Sequence, residues 1–72
     1  MTGRIAILGG PAEIRGWELA GLEPAPAEDA AQARAQWAKL PADVGLVILT
    51  RSAAAALEAE ISAAGPLVAV LP

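Results

Sequence analysis

The sequence predicts a doubly wound α/β domain: a four-stranded parallel sheet in the order 2-1-3-4, flanked by three helices. Three observations carry this prediction. Apolar runs rich in Ile, Leu and Val recur at residues 4–8, 45–50 and 67–71, as in strands buried on both faces. Segments with helical spacing of apolar residues lie between them. Gly or Pro punctuates most of the junctions. Strands alternating with helices imply parallel pairing through right-handed crossovers. The two most uniformly apolar strands, the first and third, take the centre of the sheet.

Each element has its own local warrant. "RIAILGG" is a short apolar run closed by two glycines, a strand over 4–8. Gly10-Pro11 then starts a helix: proline at the first helical position loses no useful donor, and Glu13 suits the positive helix end. Ile14 and Trp17, three apart, share a face of that helix. Gly21 is placed to take the left-handed conformation just past its end, which brings Leu22 back towards Trp17. Trp17 is therefore expected in the core. "GLEP" at 21–24 gives a short, proline-limited edge strand. The clearest helix runs from Ala27 to Leu40, with Glu28 and Asp29 in its first turn and Ala30, Ala33, Trp37 and Leu40 as its apolar stripe. Pro41 stops it. "GLVILT" gives the third strand at 45–50. A third helix spans Ser52 to Ala63, with Ala54, Leu57 and Ile61 inward and Gly65 as its stop. "PLVAVLP" supplies the last strand, 67–71.

The 72 residues form a single domain, 1–72. A chain this size buries only about 60% of its unfolded surface, and much of the 56% apolar content is alanine. The core therefore depends on a few large residues. Cysteine is absent, which fits a cytoplasmic setting. Met1-Thr-Gly-Arg leads into the first strand with no cleavage-site pattern, and no apolar run approaches the ~20 residues of a membrane span. A net charge of −3 with five basic residues argues against nucleic acid.

Folds of this kind, flavodoxin-like in order, bind ligands beyond the carboxyl ends of the strands. The first such loop, Gly9-Gly10-Pro11-Ala12-Glu13, lacks the G-x-G-x-x-G spacing, and no G-K-[ST] occurs anywhere. It reads as a tight turn. The loop after the third strand is Thr50-Arg51-Ser52. A hydroxyl there caps the next helix, with Arg51 in solvent; the alternative is a small anion- or nucleotide-binding module at that helix start. A phosphoacceptor receiver domain shares the topology but needs acidic residues after the first strand and an aspartate ending the third. Here Gly9-Gly10 and Thr50 stand in those places. Histidine, cysteine and tyrosine are all missing, which removes the commonest general bases, thiol nucleophiles and metal ligands. The eight carboxylates read as a solvated surface. No catalytic residue, metal site or cofactor is expected.

One ordered set of segments remains. "RIAILGG" followed by "RGWELAGLEP" resembles the opening of the F subunit of the V-type and archaeal A-type rotary ATPases and ATP synthases. That family has a Gly-aromatic-x-Leu-Ala-Gly pattern on its first helix; here Gly16, Trp17, Leu19, Ala20 and Gly21 stand in those places, with tryptophan where phenylalanine is usual. "ADVGLVILT" and "GPLVAVLP" are similar to its third and fourth strands. The resemblance implies a four-stranded N-terminal α/β domain without the family's C-terminal helical region. It also implies a non-catalytic component of the central stalk. Such a component binds the coiled-coil D subunit of the rotor beneath the A/B catalytic hexamer, on the cytoplasmic side of the membrane and not inserted in it. For docking, the expected residues are Gly10 and Glu13 on the first exit loop and helix, with Arg51 from the adjacent loop. A stand-alone interaction domain, self-associating through an open edge strand at 67–71, is the third reading.

Overall fold

A computed structural model describes residues 3–63 and 65–72. Met1 and Thr2, the start of the stretch that shows no cleavage-site pattern, lie outside the described residues. The elements are β1 (Arg4–Gly9), α1 (Pro11–Leu19), β2 (Glu23–Pro26), α2 (Ala30–Lys39), β3 (Val44–Leu49), α3 (Arg51–Ala56), α4 (Glu58–Ala63) and β4 (Leu67–Val70). All strand pairs are parallel, and the sheet order is β2-β1-β3-β4, as the sequence predicts.

The core lies on one face of the sheet. Ala6 and Leu8 of β1, Val47 and Leu49 of β3, and Ala25 of β2 are buried with Ala33 of α2 and Ala53 of α3. Trp37, Leu40, Ile61 and Val68 pack around them. A bulge tunes this pattern. Arg4 pairs with Val44, but Ile5 pairs with Leu46, so Gly45 is the extra residue. The insertion resets the alternation and lets Val44 and Val47 serve the same core. At Gly45 a Cβ would come within 3.3 Å of the Gly3 Cα, so a side chain here would press on backbone. On the opposite face α1 packs against β1 and β2, with Ile14 and Ile7 both buried.

Several boundaries differ from the sequence expectation, each for a local reason. The segment 21–22 belongs to the end of α1 and not to β2. Gly21 has φ +93°, its N–H donates to Glu18 O at 3.1 Å, and the Leu22 N–H donates to Trp17 O at 3.4 Å. That pair of bonds is a Schellman closure, and it moves β2 to Glu23–Pro26. Helix α2 starts at Ala30 because Asp29 is its N-cap: the carboxylate accepts the Gln32 N–H at 2.8 Å. Gln32 Oε1 in turn accepts the Glu28 N–H at 2.8 Å, a variant of the capping box. Glu28 and Asp29 therefore precede the first turn, and Ala30 is exposed. Thr50 leaves β3 to cap α3. The expected helix from Ser52 to Ala63 is two short segments. The chain bends at Leu57, its one fully buried large side chain in this region. Trp17 is 38% exposed and so is only partly a core residue.

Candidate functional site

The strand exits bring the expected loop residues to one end of the sheet. β1 and β3 are neighbours and parallel, so Gly10 after β1 and Arg51 after Thr50 emerge side by side. This is the point where strand order reverses. Gly10 is the N-cap of α1, with φ −58° and ψ 138°; its carbonyl accepts the N–H groups of Glu13 at 3.0 Å and Ile14 at 3.1 Å. It supplies no side-chain cap. The Glu13 carboxylate folds back over it, so that a Cβ on Gly10 would lie 2.9 Å from Glu13 Oε1. Arg51 is exposed, and among the described residues it forms no ion pair.

Beneath them the loops are locked. The Thr50 N–H donates to Leu8 O at 3.1 Å and the Ala27 N–H to Gly9 O at 2.8 Å. Thr50 Oγ1 accepts the Ala53 N–H at 3.3 Å and lies 3.5 Å from Ser52 Oγ. Thr50 is the one buried polar residue among those described. Its side chain occupies the space a Cβ on Gly9 would need: that atom would fall on the Thr50 methyl and lie 2.5 Å from Oγ1. Gly9 is thus a glycine because β1 and Thr50 touch. The loop that the sequence reads as a tight turn is also a packing device.

The same region offers little to a small ligand. A pocket of about 140 Å³ opens between the starts of α2 and α3, lined by Ala27, Glu28, Asp29, Ala33, Ser52 and Ala53. Ligand pockets usually span about 300–1,000 Å³, and two carboxylates at this mouth repel an anion. Thr50 Oγ1 is committed to its cap. Among the described residues there is no group of three metal-ligating side chains, and no helix is long and apolar enough to cross a membrane.

The resemblance residues lie on α1 and its closure. Gly21 and the backbone of Trp17 end the helix, as expected. Gly16 and Leu19 do not serve the core: a Cβ on Gly16 would meet nothing within 4 Å, and Leu19 is 88% exposed. The sequence reading also misses the uncovered part of the α1 face. By register, Ile5, Leu46 and Leu67 form one row there and Ile7, Ile48 and Ala69 the next. Only Ile7 of these is buried. A signal for it exists: in the order 2-1-3-4, right-handed crossovers place the first helix on one face and both later ones on the other.

The chain matches no protein-family model and no curated protein. It does match solved structures. The crystal structure of the F subunit of the V-type ATP synthase from Archaeoglobus fulgidus aligns over 100% of both chains, with a TM-score of 0.76 and 22% sequence identity. At that identity the likeness establishes a common fold.

Proposed function

We propose that this domain is a non-catalytic central-stalk component of a V/A-type rotary ATPase or ATP synthase, moving protons or sodium ions, and that it acts through protein contact with the rotor. The observation that carries this reading is the full-length alignment to the archaeal F-subunit fold at a TM-score of 0.76. The ordered segments "RIAILGG", "RGWELAG" and "GPLVAVLP" support it independently, because they rest on residue identity and not on backbone shape. The partners in this reading are the D subunit of the rotor and, above it, the A/B catalytic hexamer. The location is cytoplasmic, peripheral to the membrane as part of the assembled complex.

The proposed contact is the strand-exit end of the sheet, through Gly10, Glu13 and Arg51, none of which is buried. Isothermal titration calorimetry of the whole chain with its cognate rotor D subunit tests the assignment. A stoichiometric complex is expected, weakened in Arg51→Glu. The absence of a complex for the parent chain would count decisively against the stalk reading. A complex indifferent to Arg51→Glu would move the contact elsewhere while leaving the family reading intact.

A further inference from the structure

From the uncovered strip of sheet and the outer face of α1 we infer a two-fold dimer. The α1 of each copy seats on the bare β3–β4 surface of the other. The inference concerns the domain alone and needs no rotor partner. Two features of the same chain are left without a use in the monomer. The first is the apolar strip on the α1 face: Leu46 and Ile48 are half-buried, Ala69 is exposed and Leu67 is 75% exposed, with no polar residue among them. The second is the outside of α1. At about 100° per residue, Ala12, Gly16 and Leu19 lie opposite the buried Ile14, and all three are exposed.

The dimensions of the two features agree. Strands are spaced about 4.8 Å apart, so one helix, about 10 Å wide, covers two strands. The α1 helix covers β1 and β2; the vacancy over β3 and β4 is one helix wide. A second helix placed there would lie about 10 Å from α1, the ordinary helix–helix distance. With the two-fold axis parallel to the strands, each copy's α1 fills the other's vacancy. The resulting layers are sheet, helix pair, sheet.

The chemistry agrees level by level. An axis along the strands keeps heights unchanged, and α1 runs antiparallel to the strands. Leu19, at the carboxyl end of α1, therefore meets the Leu46–Leu67 row near the strand starts. Gly16 and Ala12 meet the Ile48–Ala69 row. Gly16 lets the helix approach closely, which accounts for a glycine in mid-helix where the monomer has open space. The right-handed crossover also turns the Trp17 flank of α1 towards β3, so the two half-exposed Trp17 rings meet at the seam.

The area limits the affinity. Half of a nine-residue helix and a strip two strands wide each offer roughly 250 Å². Each copy contributes both, about 500 Å², and the dimer buries about 1,000 Å², the lower bound for a specific interface. Alternatives bury less or fit worse. Sheet-on-sheet contact is blocked by α1, which stands about 10 Å off the sheet. Pairing of β4 edges would engage four residues bounded by Pro66 and Pro72.

Sedimentation equilibrium of the whole chain, from low micromolar to near-millimolar concentration, tests the proposal. The mass is expected to rise reversibly towards twice the monomer. Leu19→Glu and Gly16→Gln should each weaken association at least ten-fold. Gly16→Gln should at the same time raise the melting temperature of the dilute monomer, so misfolding cannot explain its loss of dimer. Leu19→Lys and Leu67→Glu should each be monomeric alone and associate when mixed. A chain that stays monomeric throughout overturns the proposal. So does a dimer indifferent to Leu19→Glu, which would point to the β4 edge, or a mixture of the two charged variants that remains monomeric.

Discussion

Replacing Gly9 with alanine places a methyl group where Thr50 already sits. The new Cβ would lie on the Thr50 methyl, 2.5 Å from Oγ1 and 2.9 Å from the Thr50 Cβ. Thr50 cannot simply swing away: it is β-branched, 1% exposed, and holds the Ala53 N–H at the start of α3. Turning it out of its well costs about 1 kcal/mol, and losing the cap costs about another 1 kcal/mol. Displacing the packed neighbours adds about 1–3 kcal/mol. The expected loss is about 3–5 kcal/mol, against a total of roughly 4–11 kcal/mol for a 72-residue domain. At about 4–8 °C per kcal/mol for this size, the melting temperature should fall by about 12–40 °C. Circular dichroism melts of the dilute protein measure it. A double-mutant cycle identifies the cause: Thr50→Ala alone loses the cap, but in the Gly9→Ala background it should restore part of the loss. A melting point within about 2 °C of the parent, or strictly additive single effects, would refute the account of why Gly9 is a glycine.

The other expectations are smaller and separable. Gly21→Ala forces a residue with a Cβ into φ +93°, which costs about 1–2 kcal/mol by denaturant titration; Gly21→Asn should cost less. Asp29→Ala removes the bond to the Gln32 N–H and should cost about 1 kcal/mol, with Asp29→Asn close to neutral. Trp17→Ala should cost about 2 kcal/mol, below the ~3–5 kcal/mol of a fully buried aromatic, because the ring is 38% exposed. A loss for Trp17 equal to that of a core residue would mean that its exposed edge is covered in solution.

What can be read from the sequence follows the range of the physics involved. Strand identity, parallel pairing and sheet order depend on local apolar runs and the handedness of crossovers, so residues 4–8 and 45–50 locate β1 and β3 within one residue. Element ends depend on single hydrogen bonds that compete with the periodic pattern. Asp29 reads equally well as a first-turn acid or as a cap until its partner Gln32 is in place. Thr50 reads both as the last strand residue and as one of two hydroxyls able to cap the next helix, and the Ala53 N–H bond to its Oγ1 decides for the cap. Trp17 reads as a core residue because it shares a helix face with Ile14. A helix nine residues long, lying over two strands at one side of a sheet, has flanks that the periodicity alone cannot tell from its base. At the candidate site, the placing of Gly10 and Arg51 at one end of neighbouring strands follows from topology alone. The contact of Gly9 with Thr50 does not, because it is a tertiary distance between segments about forty residues apart.

The "RGWELAGLEP" stretch shows how these ranges divide within one helix. Its closing half serves folding: Gly21 adopts a conformation that other residues resist, and the Leu22 and Gly21 N–H groups return to Trp17 and Glu18. Its outer half does not. Gly16 weakens the helix by about 1 kcal/mol relative to alanine and gains nothing inside its own chain. Leu19 holds its side chain in water. Inside the monomer, a residue that costs stability and a leucine that buries almost nothing stand one helical turn apart without a use. A surface that covered both would approach the helix backbone closely and be apolar at the carboxyl end of α1. The bare row of Leu46 and Leu67 meets both requirements, and it belongs to the same chain.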